Sequence, residues 1–170
     1  MRVIAFIGKL SLWSGRLGAL VVLPLVFAMV FEVISRYVFS SPTMWAFELS
    51  YMMMGAIFLL GLSYALLVGQ HVNVDFIHQR LPPRAVALID AIGYAVLTSM
   101  LTWMLLTLAQ NAVDVYRSGE ASGLSAWNPK IWPYRVIYVM GFALFALQSF
   151  AKLLENLLVV LGHAPKVTRS

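Results

Sequence analysis

The chain contains no cysteine, which excludes disulfides, iron–sulfur clusters and thiolate metal sites and leaves the redox compartment open. Charge is scarce: Asp, Glu, Lys and Arg make up 11% of its 170 residues, where an ordinary soluble protein carries about 25%. Histidine is nearly absent, and His71, His78 and His163 all lie at or beyond the ends of apolar runs. No histidine therefore stands within a span to ligate a haem iron. No nucleophile–base pair, glycine-rich phosphate loop or metal triad occurs, so the residues indicate neither an enzyme nor a cofactor. The two halves share no motif at matching offsets, which argues against an inverted-repeat transporter complete in one chain.

What the sequence does have is apolar surface, at 61% of residues, where soluble chains hold about 45–50%. A soluble fold has no means of hiding that much, so the solvent has to be lipid. The net charge of +5 does not indicate nucleic acid, because the basic residues sit at the ends of apolar runs and form no stripe interleaved with aromatics. Membrane lipids are the expected surroundings, and no nucleic-acid partner is expected.

A bilayer core about 30 Å thick needs roughly 20 apolar residues in a helix. Four stretches meet this, with spans expected at about 17–39, 49–68, 85–113 and 134–158. The fold class is thus an all-α membrane protein, a single integral domain with four transmembrane helices and a flexible tail at 163–170. Arg2, Lys9 and Arg16 could flank a signal peptide, but no small-x-small cleavage site follows, so the first span reads as a retained anchor. Both termini and the loop between spans two and three hold Arg2, Lys9, Arg16, Arg80, Arg84, Lys152, Lys166 and Arg169, against Arg36, Arg117, Lys130 and Arg135 on the other side. The excess of basic residues places both termini in the cytoplasm.

Local signals mark the joints. Ser41-Pro42 fits an N-cap followed by a first-turn proline, so a short interfacial helix start is expected directly after the first span, with Trp45 at the membrane interface. Leu81-Pro82-Pro83 ends whatever precedes it, and a helix from Pro83 to about Tyr116 would be on the order of 50 Å long, too long to stand upright within the lipid. The outer loop from Ser118 to Pro133, with Trp127 and Trp132, reads as an ordered interfacial segment. Ala91, Ala95 and Ser99, and Gly61 with Ala65, recur every four residues, a spacing that lets helices approach closely.

Several polar residues stand near membrane depth. Glu32 and Arg36, at i and i+4, share one helix face in the favourable order. They form either a cation or proton site at Glu32 or a structural ion pair, and the neighbouring Arg36 favours the pair. Glu48, one turn after Trp45, has three candidate roles: contact with Arg36, contact with a partner chain, or exposure to headgroups. His71 and Asp75 are also spaced i, i+4, which suits a proton relay or part of a metal site. Two groups do not make a metal site, however, and a cluster ordering the cytoplasmic loop is the favoured reading.

At these residues a family resemblance emerges. The run Ile34-Ser35-Arg36-Tyr37-Val38-Phe39, the turn containing Pro42, and Trp45 followed by Glu48 resemble the small membrane subunit (DctQ-like small permease) of TRAP, or tripartite ATP-independent periplasmic, transporters. Gly69-Gln70-His71-Val72-Asn73-Val74-Asp75, followed by Arg80-Leu81-Pro82-Pro83-Arg84, is similar to the family's cytoplasmic signature. Trp127 to Gly141, followed by Ala146-Leu147-Gln148, is spaced like its entry to span four. Phe47 departs from the pattern where many relatives carry a second acidic residue, and so does Tyr138, where relatives often carry proline.

The resemblance implies a bacterial inner-membrane scaffold subunit. Such a subunit binds a large TRAP membrane subunit that carries the substrate and sodium sites, and a periplasmic substrate-binding protein delivers small organic acids to the complex. Glu32, Arg36, Trp45, Glu48, His71, Asp75 and Arg84 are then candidate structural or partner-interface residues, and no catalytic, cofactor or metal residue is expected. Two other readings compete. One is an accessory assembly subunit of a photosynthetic or respiratory complex that uses the same kind of fold. The other is a self-sufficient exporter coupled through Glu32.

Overall fold

The computed structural model describes residues 2–69 and 82–162. Four helices account for nearly all of them: α1 (Arg2–Tyr37), α2 (Ala46–Leu67), α3 (Pro83–Ser118) and α4 (Trp132–Val160). All four are long and apolar enough to cross a membrane, and no named strand occurs among the described residues. The architecture is that of an all-α membrane protein, as the composition requires. With no water in hydrocarbon to bond to peptide groups, a spanning chain must satisfy its backbone within each helix.

Successive helices run antiparallel, so Arg2, Leu67, Pro83 and Val160 share one end of the molecule. Helix α4 packs against all three others and most extensively against α3. Helix α1 lies chiefly along α2, and the extensive contacts of α3 are with α4. The arrangement is therefore two hairpins joined through α4. At its centre Leu66, Leu101, Phe145 and Ala146 are buried together, with Leu62, Tyr94, Leu97, Met104 and Phe142 around them.

Glycine sets the closest approaches. A Cβ at Gly141 of α4 would lie 2.8 Å from Leu59 Cβ and 3.3 Å from the Leu59 carbonyl carbon on α2. At Gly15 of α1 it would meet the Tyr64 ring at 2.6 Å, and at Gly18 the Ile57 carbonyl oxygen at 3.4 Å. The small-residue rows expected from spacing alone fit less well. Ala91 is buried, but Ser99 is exposed and bonds back to Ala95 O on its own helix. A Cβ on Gly61 would meet nothing within 4 Å, although Gly61 N itself lies opposite Gly18.

Three boundaries differ from the sequence expectation. Helix α1 begins at Arg2, well before residue 17, because Ile7, Ser11 and Ser14 pack inward while Lys9 and Arg16 stay on an exposed face. Counting charge-free residues finds the lipid-crossing part of a helix and misses such an extension. Helix α2 begins at Ala46, four residues beyond Pro42, with Trp45 at the N-cap position and no side-chain cap. The Ser41–Pro42 pair does not start a helix. Ser41 N instead donates to Ser35 O at 2.9 Å and closes the end of α1, next to Ser40 with a φ of 50°. Helix α3 starts at Pro83, where the two prolines place it, and ends two residues beyond Tyr116, at Ser118, with Gly119 in the left-handed conformation that suits glycine. Its 36 residues give a length of about 54 Å.

The segment between α3 and α4 is ordered, as expected. Ala121 and Lys130 form an antiparallel bridge, Ser122 N donates to Pro129 O at 3.0 Å, Ile131 N donates to Glu120 O at 3.2 Å, and Gly123 N donates to Asn128 Oδ1 at 2.8 Å.

Candidate functional site

At the end of the molecule away from the termini, two acidic residues, Glu32 and Glu48, tie separate parts of the chain together. Glu32 is 6% exposed. Its Oε1 accepts from Arg36 Nε at 2.9 Å and from the terminal guanidinium nitrogen as well. Its Oε2 accepts from Thr43 N at 2.9 Å and from the Thr43 hydroxyl. One carboxylate therefore ties the last turn of α1 to the chain that leads into α2. Phe31 and Trp45 stack beside it, with ring centroids 6.0 Å apart. The Glu32–Arg36 ion pair read from the sequence is present, and Thr43 is its unforeseen third member. A long-range cap of this kind explains why the local Ser41–Pro42 signal lost.

With both oxygens occupied, Glu32 has little left to offer a transported cation. Glu32→Ala is expected to lower the unfolding temperature in detergent by several degrees and to speed proteolysis within residues 38–45. Glu32→Gln, which keeps one acceptor oxygen, should do so less. Equal behaviour of both variants and wild type would remove the clamp from the account.

Glu48 is 1% exposed, so it does not face headgroups, and its partner is the Ser125 hydroxyl rather than Arg36. The contact holds the outer segment against α2. Glu48 Oε1 and Arg135 Nε are buried without a hydrogen-bond partner among the described residues. Nearby, Tyr134 and Tyr138 share a 2.6 Å hydroxyl contact, and Tyr51 packs on Tyr134 with centroids 6.2 Å apart. A cleft of about 230 Å³ opens there, lined in part by Tyr51, Met52, Glu120, Tyr134 and Arg135. Pockets that enclose drug-sized ligands run from about 300 to 1,000 Å³. Arg84 is exposed in the first turn of α3. His71 and Asp75 lie outside the described residues, and so does the tail at 163–170. Among the described residues, no group of three or more His, Asp or Glu could hold a metal.

Sequence reasoning missed a set of polar residues buried in the half nearer the termini. Gln148, 2% exposed, accepts from Ser11 Oγ at 2.8 Å. Ser14 Oγ donates to Leu60 O at 2.6 Å and lies 3.5 Å from Ser63 Oγ. Thr98 and Ser149 meet at 2.9 Å. The interior thus holds polar groups, and these are consumed in pairs between helices. In hydrocarbon that is how polar side chains hold neighbours in register. Lys152 and Glu155 pair at 3.1 Å farther along α4. Ser11 and Gln148 each stand out in the sequence as polar residues within apolar runs; that they pair was not visible, because they are 137 residues apart.

Four apolar helices, with buried serine, threonine and glutamine side chains bonded across helix contacts and the Glu32–Arg36 and Lys152–Glu155 pairs near the ends, define a multi-pass α-helical membrane protein. The family follows from the sequence match: the model of the DctQ component of the tripartite ATP-independent periplasmic transporters covers residues 25–159. The chain belongs to that family and is a TRAP transporter small subunit of the inner membrane. No curated protein and no solved structure matches the chain.

Proposed function

We propose that the chain is a scaffold subunit that carries no substrate itself. In this reading it supports a large membrane subunit that imports small organic acids with sodium, supplied by a periplasmic substrate-binding protein. The observation that carries the proposal is how the chain uses its polar groups. Glu32, Gln148, Ser63 and Ser149 are buried and bonded to other parts of the same chain, so among the described residues these groups leave no polar lane along which a carboxylate could cross.

The outward faces, by contrast, are apolar and unpartnered. Phe27, Phe58, Met100 and Trp103 are all more than 60% exposed, surface that lipid or another membrane subunit can cover. The basic-residue bias supports a topology with both termini in the cytoplasm, which places the Glu32 clamp and the outer segment on the periplasmic side. Glu32, Arg36, Trp45, Glu48 and Arg84, with His71 and Asp75, remain the candidate residues for holding that scaffold or its partner interface.

The test is affinity purification of the tagged chain from its native membranes in mild detergent. A large multi-span subunit is expected to co-purify in stoichiometric amount. Recovery with pigment- or quinone-binding proteins in its place would replace the proposal with the accessory-subunit reading.

A further inference from the structure

The exposed face of α1 joins two cations, neither paired with an acid among the described residues, to a long apolar run. Lys9, Trp13, Arg16, Leu20, Leu23 and Phe27 follow one another at steps of four and three residues, which in a helix of 3.6 residues per turn keeps them on one face. All six are exposed, Trp13 at 60%, Leu20 at 60%, Leu23 at 58% and Phe27 at 74%. The Arg16 guanidinium turns back over the Trp13 ring, 5.6 Å from its centroid. This draws the charge one turn toward the terminus, in the direction of Lys9, as a long cationic side chain does when its backbone sits in apolar surroundings. No acidic side chain pairs with Lys9 or Arg16 among the described residues. Arg36, at the other end of the same helix, is neutralised by Glu32.

We infer that this face binds one anionic phospholipid. Lys9 and Arg16 would hold its phosphate, the Trp13 indole would sit at headgroup level, and one acyl chain would lie along Leu20, Leu23 and Phe27. The dimensions agree: eleven residues separate Arg16 from Phe27, a rise of about 16 Å, close to one leaflet of a hydrocarbon core about 30 Å thick. Charge complementarity selects the occupant. A neutral apolar helix from another subunit would leave two cations unpaired in an environment where that is costly, whereas an anionic headgroup satisfies both. The site lies outside the contacts assigned above to the scaffold and does not require that a large subunit be present.

The experiment is native mass spectrometry of the full chain released from nanodiscs of phosphatidylcholine containing a minority of phosphatidylglycerol. One phosphatidylglycerol is expected to stay bound to the wild type in preference to phosphatidylcholine. Lys9→Gln/Arg16→Gln should reduce that retention roughly thirtyfold, the scale that two surface cations contribute. Lys9→Arg/Arg16→Lys should retain it, and so should Arg117→Gln, which removes an exposed cation on α3. Both glutamine positions are exposed, so the variant is expected to keep the wild-type unfolding temperature. Equal retention of the two lipids by wild type, or undiminished retention by the double glutamine variant, would overturn the site. So would a photoreactive residue at position 20 that cross-links, in native membranes, to protein rather than lipid.

Discussion

Gly141→Leu is expected to leave almost no folded protein in the membrane fraction, the largest effect of any single substitution considered. The reason is local: the missing side chain at Gly141 is what lets α4 lie against the Leu59 backbone of α2. A methyl group there already falls 2.8 Å from Leu59 Cβ and 3.3 Å from its carbonyl carbon, and a backbone carbon cannot step aside as a side-chain tip can. Overpacking a tight contact costs about 1–3 kcal/mol, while replacing glycine by alanine within a helix returns about 1 kcal/mol through propensity. Gly141→Ala should therefore be mildly to moderately destabilised. Gly141→Leu gains nearly as much in propensity but forces three more carbons into the same contact, and should separate the two hairpins. Gly93→Ala on α3 supplies the opposite sign, since a Cβ there meets nothing within 4 Å and only the propensity gain remains. Fluorescence-detected size exclusion with thermal challenge reads all three. A Gly141→Leu variant that elutes and melts like the wild type would show that the α2–α4 crossing is not where the structure puts it.

Gln148→Ala ranks second and separates volume from hydrogen bonding. Interhelical hydrogen bonds in membrane proteins average about 0.6 kcal/mol and reach about 1.7 kcal/mol, so losing the Ser11 contact is not the dominant effect. The cavity is. Truncating a fully buried side chain to alanine costs about 2–5 kcal/mol when the surroundings cannot collapse. Gln148 sits where α4 meets α1, and Ser149, beside it in sequence, has no exposed surface. Gln148→Leu fills most of the volume and leaves only Ser11 without its partner, and a serine hydroxyl can turn to the carbonyl four residues back on its own helix. The expected order of stability is wild type, then Gln148→Leu within about 1 kcal/mol, then Gln148→Ala. Ser11→Ala combined with Gln148→Leu should approach the wild type. Denaturation in mixed micelles gives the series, and alanine and leucine variants of equal stability would mean that packing is not what Gln148 supplies.

The features legible in the sequence are those set by short-range physics. Four apolar runs gave four helices because a chain in lipid has no other way to satisfy its backbone. Pro82-Pro83 located the start of α3 because proline fixes its own φ and favours the first helical position. Glu32 and Arg36 were legible as a pair because four residues of helix bring them together. The start of α2 was not, because the deciding bond runs from Thr43 to a carboxylate eleven residues away on another element. For Glu48 the sequence leaves Arg36, a partner chain and the headgroups open, and only the fold reveals that Ser125, 77 residues on, covers it. Spacing alone likewise pointed to Ala91, Ala95, Ser99 and Gly61 as contact residues. The tighter contacts fall at Gly15, Gly55 and Gly141, since a small residue permits a close approach without revealing which helix makes it.

The claim on which the account rests is that these helices frame a transport machine and do not conduct. Counterflow or uptake of labelled organic acids into proteoliposomes, under an inward sodium gradient, tests it most directly. The chain reconstituted alone should give the background of empty liposomes. Uptake should appear only when the large membrane subunit is present together with the substrate-binding protein. Sodium-driven uptake by this chain alone, abolished by Glu32→Gln, would contradict the account and make the Glu32 carboxylate a coupling site instead of a clamp.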